Sequence, residues 1–169
     1  MEDAAPVLAD TLFRMLARRA EDRWHSLEEV ATRLENLESE AKAVAKQSYA
    51  QHCSGNRAFY AQFYDHLFTT YPEVRALFRN IGDQYGKLDQ ALHFLLNFDG
   101  PRVEPTVLTN VAAKHRELNV TAAQFDQFAC SFLATLKAVG ERDDALDAWK
   151  QTMRPGIEYL KGQVSPRVD

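Results

Sequence analysis

Cysteine, basic charge and long apolar runs are all scarce in this chain, and each shortage removes a class of function. Two cysteines, Cys53 and Cys130, occur in 169 residues, with no CxxC and no metal-type spacing. Neither a disulfide framework nor a zinc site is expected, and a reducing cytoplasm is the expected location. No apolar run approaches the roughly 18 residues that cross a bilayer, and the acidic start MEDAAP lacks the basic-then-apolar pattern of a signal peptide. Lys and Arg number 20 against 24 Asp and Glu, a formal charge of -4, so there is no broad positive field for a nucleic acid or an anionic membrane. A GxGxxG phosphate loop is also missing, and no stretch alternates with the period of two that marks a strand. What remains is a chain 46% hydrophobic and 11% aromatic, enough for one all-α domain with a sizeable core.

The helical periodicity falls into separate blocks. Leu8, Leu12, Met15 and Leu16 predict a short helix from Val7 to about Arg19. Ser26-Leu27-Glu28-Glu29 reads as a capping box that opens the next one. In that second helix Leu27, Val30, Leu34, Leu37, Ala41, Val44 and Ser48 recur three and four apart as a heptad seam. The seam fits either an amphipathic helix lying on the domain or a pairing face for a second helix. Ser54-Gly55-Asn56 then breaks the pattern, and RAFYAQFYDHLFTT, PEVRALF and QYGKLDQALHFLLNF predict two long helices around a short one opened by Pro72. Periodicity returns over Pro105 to Leu118, Thr121 to Val139 and Arg142 to about Gly162, where Pro155-Gly156 should kink or interrupt the last helix.

The segment VAAKHRELNV places His115 near the end of an apolar helix. By itself that is compatible with a satisfied core or surface histidine. Three segments together narrow the reading: FYAQFYDHLFTTYPEVRALF, GDQYGKLDQALHFL, and VLTNVAAKHRELNVTAAQFDQFACSFLATL followed by DAWKQ. In order and spacing they resemble the bacterial globins, namely the single-domain globins and the haem domain of flavohaemoglobins, over about Lys46 to Gly162. The resemblance implies a three-over-three helical globin fold at 46–163, preceded by a helical extension at 1–45 and followed by a tail at 164–169. It also implies a haem b cofactor whose iron is held by His115, with the Val111 carbonyl, one turn back, as the acceptor that orients the ring.

Across the haem the resemblance places Tyr64 and Gln84, whose O–H and N–H would donate to the partial negative charge of a polarised diatomic ligand such as oxygen. Phe78 would wedge against the haem face, Leu88 would lie over the iron, and Lys87 could reach a propionate or stand on a solvated face. One residue fewer separates Gln84 from His115 than in the family, which makes Tyr85 an alternative to Gln84. Phe125 stands where flavohaemoglobins have the tyrosine that helps make the proximal histidine electron-rich, and no matching glutamate is present in the tail.

The first forty residues carry a second resemblance. LADTLFRMLARRAEDRWHSLEEVATRLENLE is similar to the last two helices of a bacterial serine/threonine protein kinase, although no kinase catalytic motif occurs in the chain. These resemblances imply an oxygen-binding sensor or regulatory domain, open to NO and CO as well, with the 26–48 helix meeting a second copy or a kinase domain. Two alternatives stay open: a single-domain nitric-oxide dioxygenase served by a separate reductase, and a haem-free globin-fold interaction module.

Overall fold

The computed structural model describes residues 27–98 and 105–164, and the side chains of 28–98 and 110–164. The expected helix at Val7 to Arg19, Ser26 of the capping box and most of the kinase-like segment lie outside the described residues. Among the described residues six α-helices succeed one another, α1 (Leu27–Ser48), α2 (Arg57–Thr70), α3 (Gln84–Asn97), α4 (Pro105–Glu117), α5 (Ala122–Ala138) and α6 (Asp143–Val164), and there is no strand. A π-helical turn, Tyr49–Cys53, continues α1, and a 3-10 turn, Pro72–Leu77, comes after α2. The all-α expectation holds, and the predicted ends agree within the usual one or two residues.

Local chemistry sets the ends. Asn56 caps α2 by accepting the Phe59 N–H at 3.2 Å. A complete capping box opens α5, in which the Thr121 hydroxyl accepts the Gln124 N–H while the Gln124 side chain accepts the Thr121 N–H at 2.9 Å.

Helix α6 organises the core. Its buried positions Leu146, Trp149, Met153, Ile157 and Leu160 recur at three- and four-residue spacing, and it packs against α1, α3, α4 and α5. Trp149 is fully buried, with its ring 4.7 Å from that of Phe132 at 73°. Its indole N–H donates to the Ser48 hydroxyl at 2.9 Å, and Ser48 in turn donates to the Glu141 carboxylate, which lies 3.4 Å from His52.

This accounts for the small residues in the heptad seam. Of the seam positions Ala41 and Ser48 are buried and Val44 half-buried, with Ala45 beside it fully buried, so the second half of this face is spent within the chain against α6. The expected boundary at 45/46 falls inside the unbroken α1. Farther toward its start Val30 is buried and Leu37 half-buried, while Leu34 is 38% exposed.

One expectation is corrected. Pro155 neither ends nor interrupts α6, which is continuous from 143 to 164. The carbonyl that loses its N–H partner belongs to Gln151, an exposed residue like Pro155 itself, so water can satisfy it. Gly156 has its own reason: a Cβ there would come within 2.7 Å of Leu95 Cδ2, with Phe98 behind it, so glycine lets α3 approach α6.

Candidate haem and gas-binding site

The half-buried His115 sits in the last turn of α4, and the way that helix stops fixes it. The Val120 N–H donates to the His115 carbonyl at 3.0 Å and the Asn119 N–H to the Arg116 carbonyl at 2.9 Å, with Asn119 at φ 54°. That is a Schellman ending with asparagine in the left-handed position, a conformation its short polar side chain tolerates. The ring is fixed separately. Nδ1 lies 2.8 Å from the Val111 carbonyl, the acceptor expected from the sequence. A carbonyl can only accept, so Nδ1 carries a proton, and the neutral ring held this way has its lone pair on Nε2, the donor form that iron or zinc requires of an imidazole.

Around the ring the surroundings are mainly apolar. Phe125 of α5 lies 5.2 Å away, ring centre to ring centre, and Ala112 is buried. Leu118, three residues on, is 42% exposed and lies outside this apolar shell. The side chains of Val107 and Leu108 lie outside the described ones.

A second group of residues assembles around Tyr64 on α2. The ring stacks with Tyr85 (6.0 Å, 15°) and Phe68 (5.7 Å, 28°), and meets Phe78 edge-on at 5.5 Å. Its phenol is buried, and burial, with Tyr85 adding to it, pushes the pKa well above the ordinary value, so the O–H stays protonated. That O–H has only a long contact, 3.5 Å to the Gln84 carbonyl. An O–H···O bond at full strength spans about 2.5 to 3.0 Å, so the group keeps most of its donor capacity.

The remaining predicted residues divide. Leu88 is buried, and Phe78 is half-buried against Tyr64 and Phe68. Gln84 turns away, its amide N–H donating to the Asn80 carbonyl at 3.2 Å, so Tyr85 rather than Gln84 lies against Tyr64. Lys87 is exposed. One apolar cluster joins the two groups: Tyr64, Leu88 and Phe125 belong to it, with Val111, Phe78, Tyr85 and Phe128 packed on its margin. Phe63, beside Tyr64, meets Phe128 at 5.4 Å, one turn along α5 from the phenylalanine that touches His115.

No group of three or more His, Cys, Asp or Glu side chains among the described residues could hold a metal ion by itself. A metal here needs a carrier that fills most of its coordination sphere. A porphyrin does so, and a neutral imidazole beside an apolar cluster fits its iron. Cys53 offers no competing ligand: burial, then Asp89 and Glu141, push its thiol up to about 12. No described helix is long and apolar enough to cross a membrane.

One constellation escaped the sequence reading. Asp89 on α3 accepts from the phenol of Tyr49 at 2.7 Å and from that of Tyr60, which joins α3 to both the π-helical turn and α2. Its partners stand 40 and 29 residues away, a distance over which periodicity carries no signal.

Comparison with known proteins identifies the fold that carries these residues. The flavohemoprotein of Rhizobium meliloti (strain 1021) is 26% identical over 137 residues, which cover 76% of this chain and 34% of the relative. That of Bordetella pertussis (strain Tohama I) is 30% identical over 135 residues, 75% of this chain and 34% of the relative. The chain thus spans about a third of the length of these curated relatives. A crystal structure from Pseudomonas aeruginosa PAO1, of a protein described as structurally highly homologous to a human hemoglobin, superposes with a TM-score of 0.66 at 23% identity, covering 75% of this chain and 99% of that one. It shows the same fold. Residues 61–157 match the globin family model, and the chain belongs to the globin family.

Proposed function

We propose that the chain binds haem b through His115 and reversibly takes up oxygen, serving as the sensor or regulatory domain of a signalling protein. The observation that carries this reading is the Nδ1–H···O=C bond to Val111, which commits the ring to the tautomer with a free Nε2. Haem, when bound, supplies an iron able to take a diatomic gas. The chain's own residues decide how firmly that gas is held. Val111 sets the orientation of the imidazole, Leu88 and Phe78 keep water from the apolar space, and the Tyr64 O–H donates to the polar end of a diatomic ligand. Lys87, exposed on α3, is the side chain suited to a propionate.

Reversible binding is favoured over oxygen activation by what touches the imidazole. Its ring N–H donates to a neutral carbonyl, and the aromatic ring beside it, Phe125, has no polar atom. Among the described residues the ring's partners are this carbonyl and this phenyl ring, neither of which is a carboxylate that would make the donor more basic. Likeness to flavohemoproteins supports the second reading, a nitric-oxide dioxygenase that takes electrons from a separate reductase. Rapid nitrate formation with sustained turnover on adding a reductase would favour it. For a sensor, the element placed to report the state of the site is α1, and the surface around its exposed Leu34 is where a second copy or a kinase domain would be met.

Absorption spectra test the proposal. Haem-reconstituted protein should give a Soret band that shifts between ferric, ferrous and oxygenated forms, and cycling between oxygen and argon should reverse the last shift. Failure to develop a Soret band, or immediate irreversible oxidation on meeting oxygen, would overturn it.

A further inference from the structure

Helices α2 and α3 meet as a ladder with two rungs. Tyr60 and Tyr64 stand four apart on α2, and Asp89 and Tyr85 stand four apart on α3, so each pair shares one helix face. The first rung is the hydrogen bond from the Tyr60 phenol to the Asp89 carboxylate, and the second is the stack of Tyr85 on Tyr64 at 6.0 Å and 15°. A diagonal contact, Tyr60 to Tyr85 at 6.1 Å, ties them together. The Arg57 guanidinium lies 5.4 Å from the centre of the Tyr85 ring and holds it from the side of α2.

Asp89 is anchored beyond this ladder. It also accepts from Tyr49 at 2.7 Å, in the π-helical turn that continues α1. Partial burial pushes its carboxyl up, but the phenols of Tyr60 and Tyr49, with His93 nearby, outweigh burial and hold it below the ordinary value. The acceptor is therefore charged, and bonds to it are short and directional. A stack of rings is not directional in this way, since rings can slide at little cost. The charged rung therefore sets how far along α2 the helix α3 sits, and the stacked rung takes its place from it.

We propose that Asp89 and Tyr60 are positioning residues for Tyr64: through Tyr85 they fix the plane of its ring and so the direction of its O–H. The inference rests on the reading of Tyr64 as the donor to a bound gas, and it assigns a task to a carboxylate–phenol pair that need not touch haem or ligand.

The test uses the full chain in two forms. With haem bound, Asp89→Leu and Tyr60→Phe should each speed oxygen loss about three- to tenfold, part of what the whole hydrogen bond contributes. Carbon monoxide loss should change less than about twofold, because that ligand draws less on a donor. Asp89→Asn, which keeps an acceptor oxygen, should fall between Asp89→Leu and the parent. Added to Tyr64→Phe, none should have a further effect. Without haem, NMR of protein ring-labelled at tyrosine and phenylalanine should show the Tyr64 and Tyr85 signals moving in both variants, while the Phe132 ring against Trp149 stays unchanged.

Equal acceleration of both gases, or unmoved Tyr64 signals in a folded variant, would overturn the proposal. Should Asp89→Leu fail to fold, Tyr60→Phe removes a single oxygen and decides the matter. If Tyr64→Phe itself leaves oxygen loss unchanged, the fault lies with the reading of the site, and the haem-free NMR decides the positioning claim alone.

Discussion

Replacing His115 with glycine should cost the protein its haem. Even a residue that merely orients a metal-bound imidazole is worth about 10- to 100-fold in metal affinity, so removing the donor itself should lower haem retention by more than about a hundredfold. Of the other described histidines, His66 lies on α2 with a buried Nδ1 that has no hydrogen-bond partner, so His66→Ala is the control for a substitute ligand. His52 is engaged with Glu141 and His93 packs edge-on against Tyr49. The glycine leaves a space the size of an imidazole, so adding free imidazole should restore the ferrous absorption spectrum, while the α4 ending, held by backbone bonds at Asn119 and Val120, stays intact. Haem transfer to an apoprotein acceptor, followed by absorbance, measures the loss. Retention equal to that of the parent would show that some other group holds the iron.

Trp149→Ala should be the most damaging change to stability. The ring is fully buried between α5 and α1, against Phe132 on one side and the Ser48 hydroxyl on the other. Truncating a buried tryptophan costs about 3 to 5 kcal/mol, and the loss of the indole N–H also leaves a buried hydroxyl with one partner fewer. Against a total stability of about 5 to 15 kcal/mol for a domain of ordinary size, that is a large share. Urea unfolding of the parent, Trp149→Ala and Trp149→Phe should place the phenylalanine variant between the other two, since it keeps an aromatic ring in the core but loses the N–H donor and part of the indole's volume. A loss under about 1 kcal/mol for the alanine variant, far below the usual range, would mean that α1 is not built into the core.

Much of this was legible in the sequence because it is local. The apolar spacing in each block gave the helices, and the four-residue step from His115 back to Val111 gave the ring's partner. What could not be read depends on contacts between distant segments. Ser48 looked like a weak seam position until Trp149, 101 residues away, was found donating to it. Gly156 beside Pro155 suggested a break, yet it exists for the side of Leu95 that presses on it. Gln84 stood near the expected register for a distal donor, but its amide found the Asn80 carbonyl four residues back, and the next residue took the place against Tyr64. The π-helical turn at Tyr49–Cys53 leaves no mark in the apolar pattern, because it adds its extra residue where the seam is already ending.

The account of how His115-bound haem would hold its gas rests on the buried Tyr64 phenol, whose O–H has a single long contact, 3.5 Å, among the described residues. Stopped-flow displacement of oxygen and of carbon monoxide from the haem-loaded parent and Tyr64→Phe tests it most directly. A hydrogen bond to a charged acceptor contributes about 1.5 to 3 kcal/mol, so the phenylalanine variant should release oxygen about ten- to hundredfold faster, with carbon monoxide release changed far less. Unchanged oxygen release, or the same acceleration for both gases, would contradict the account.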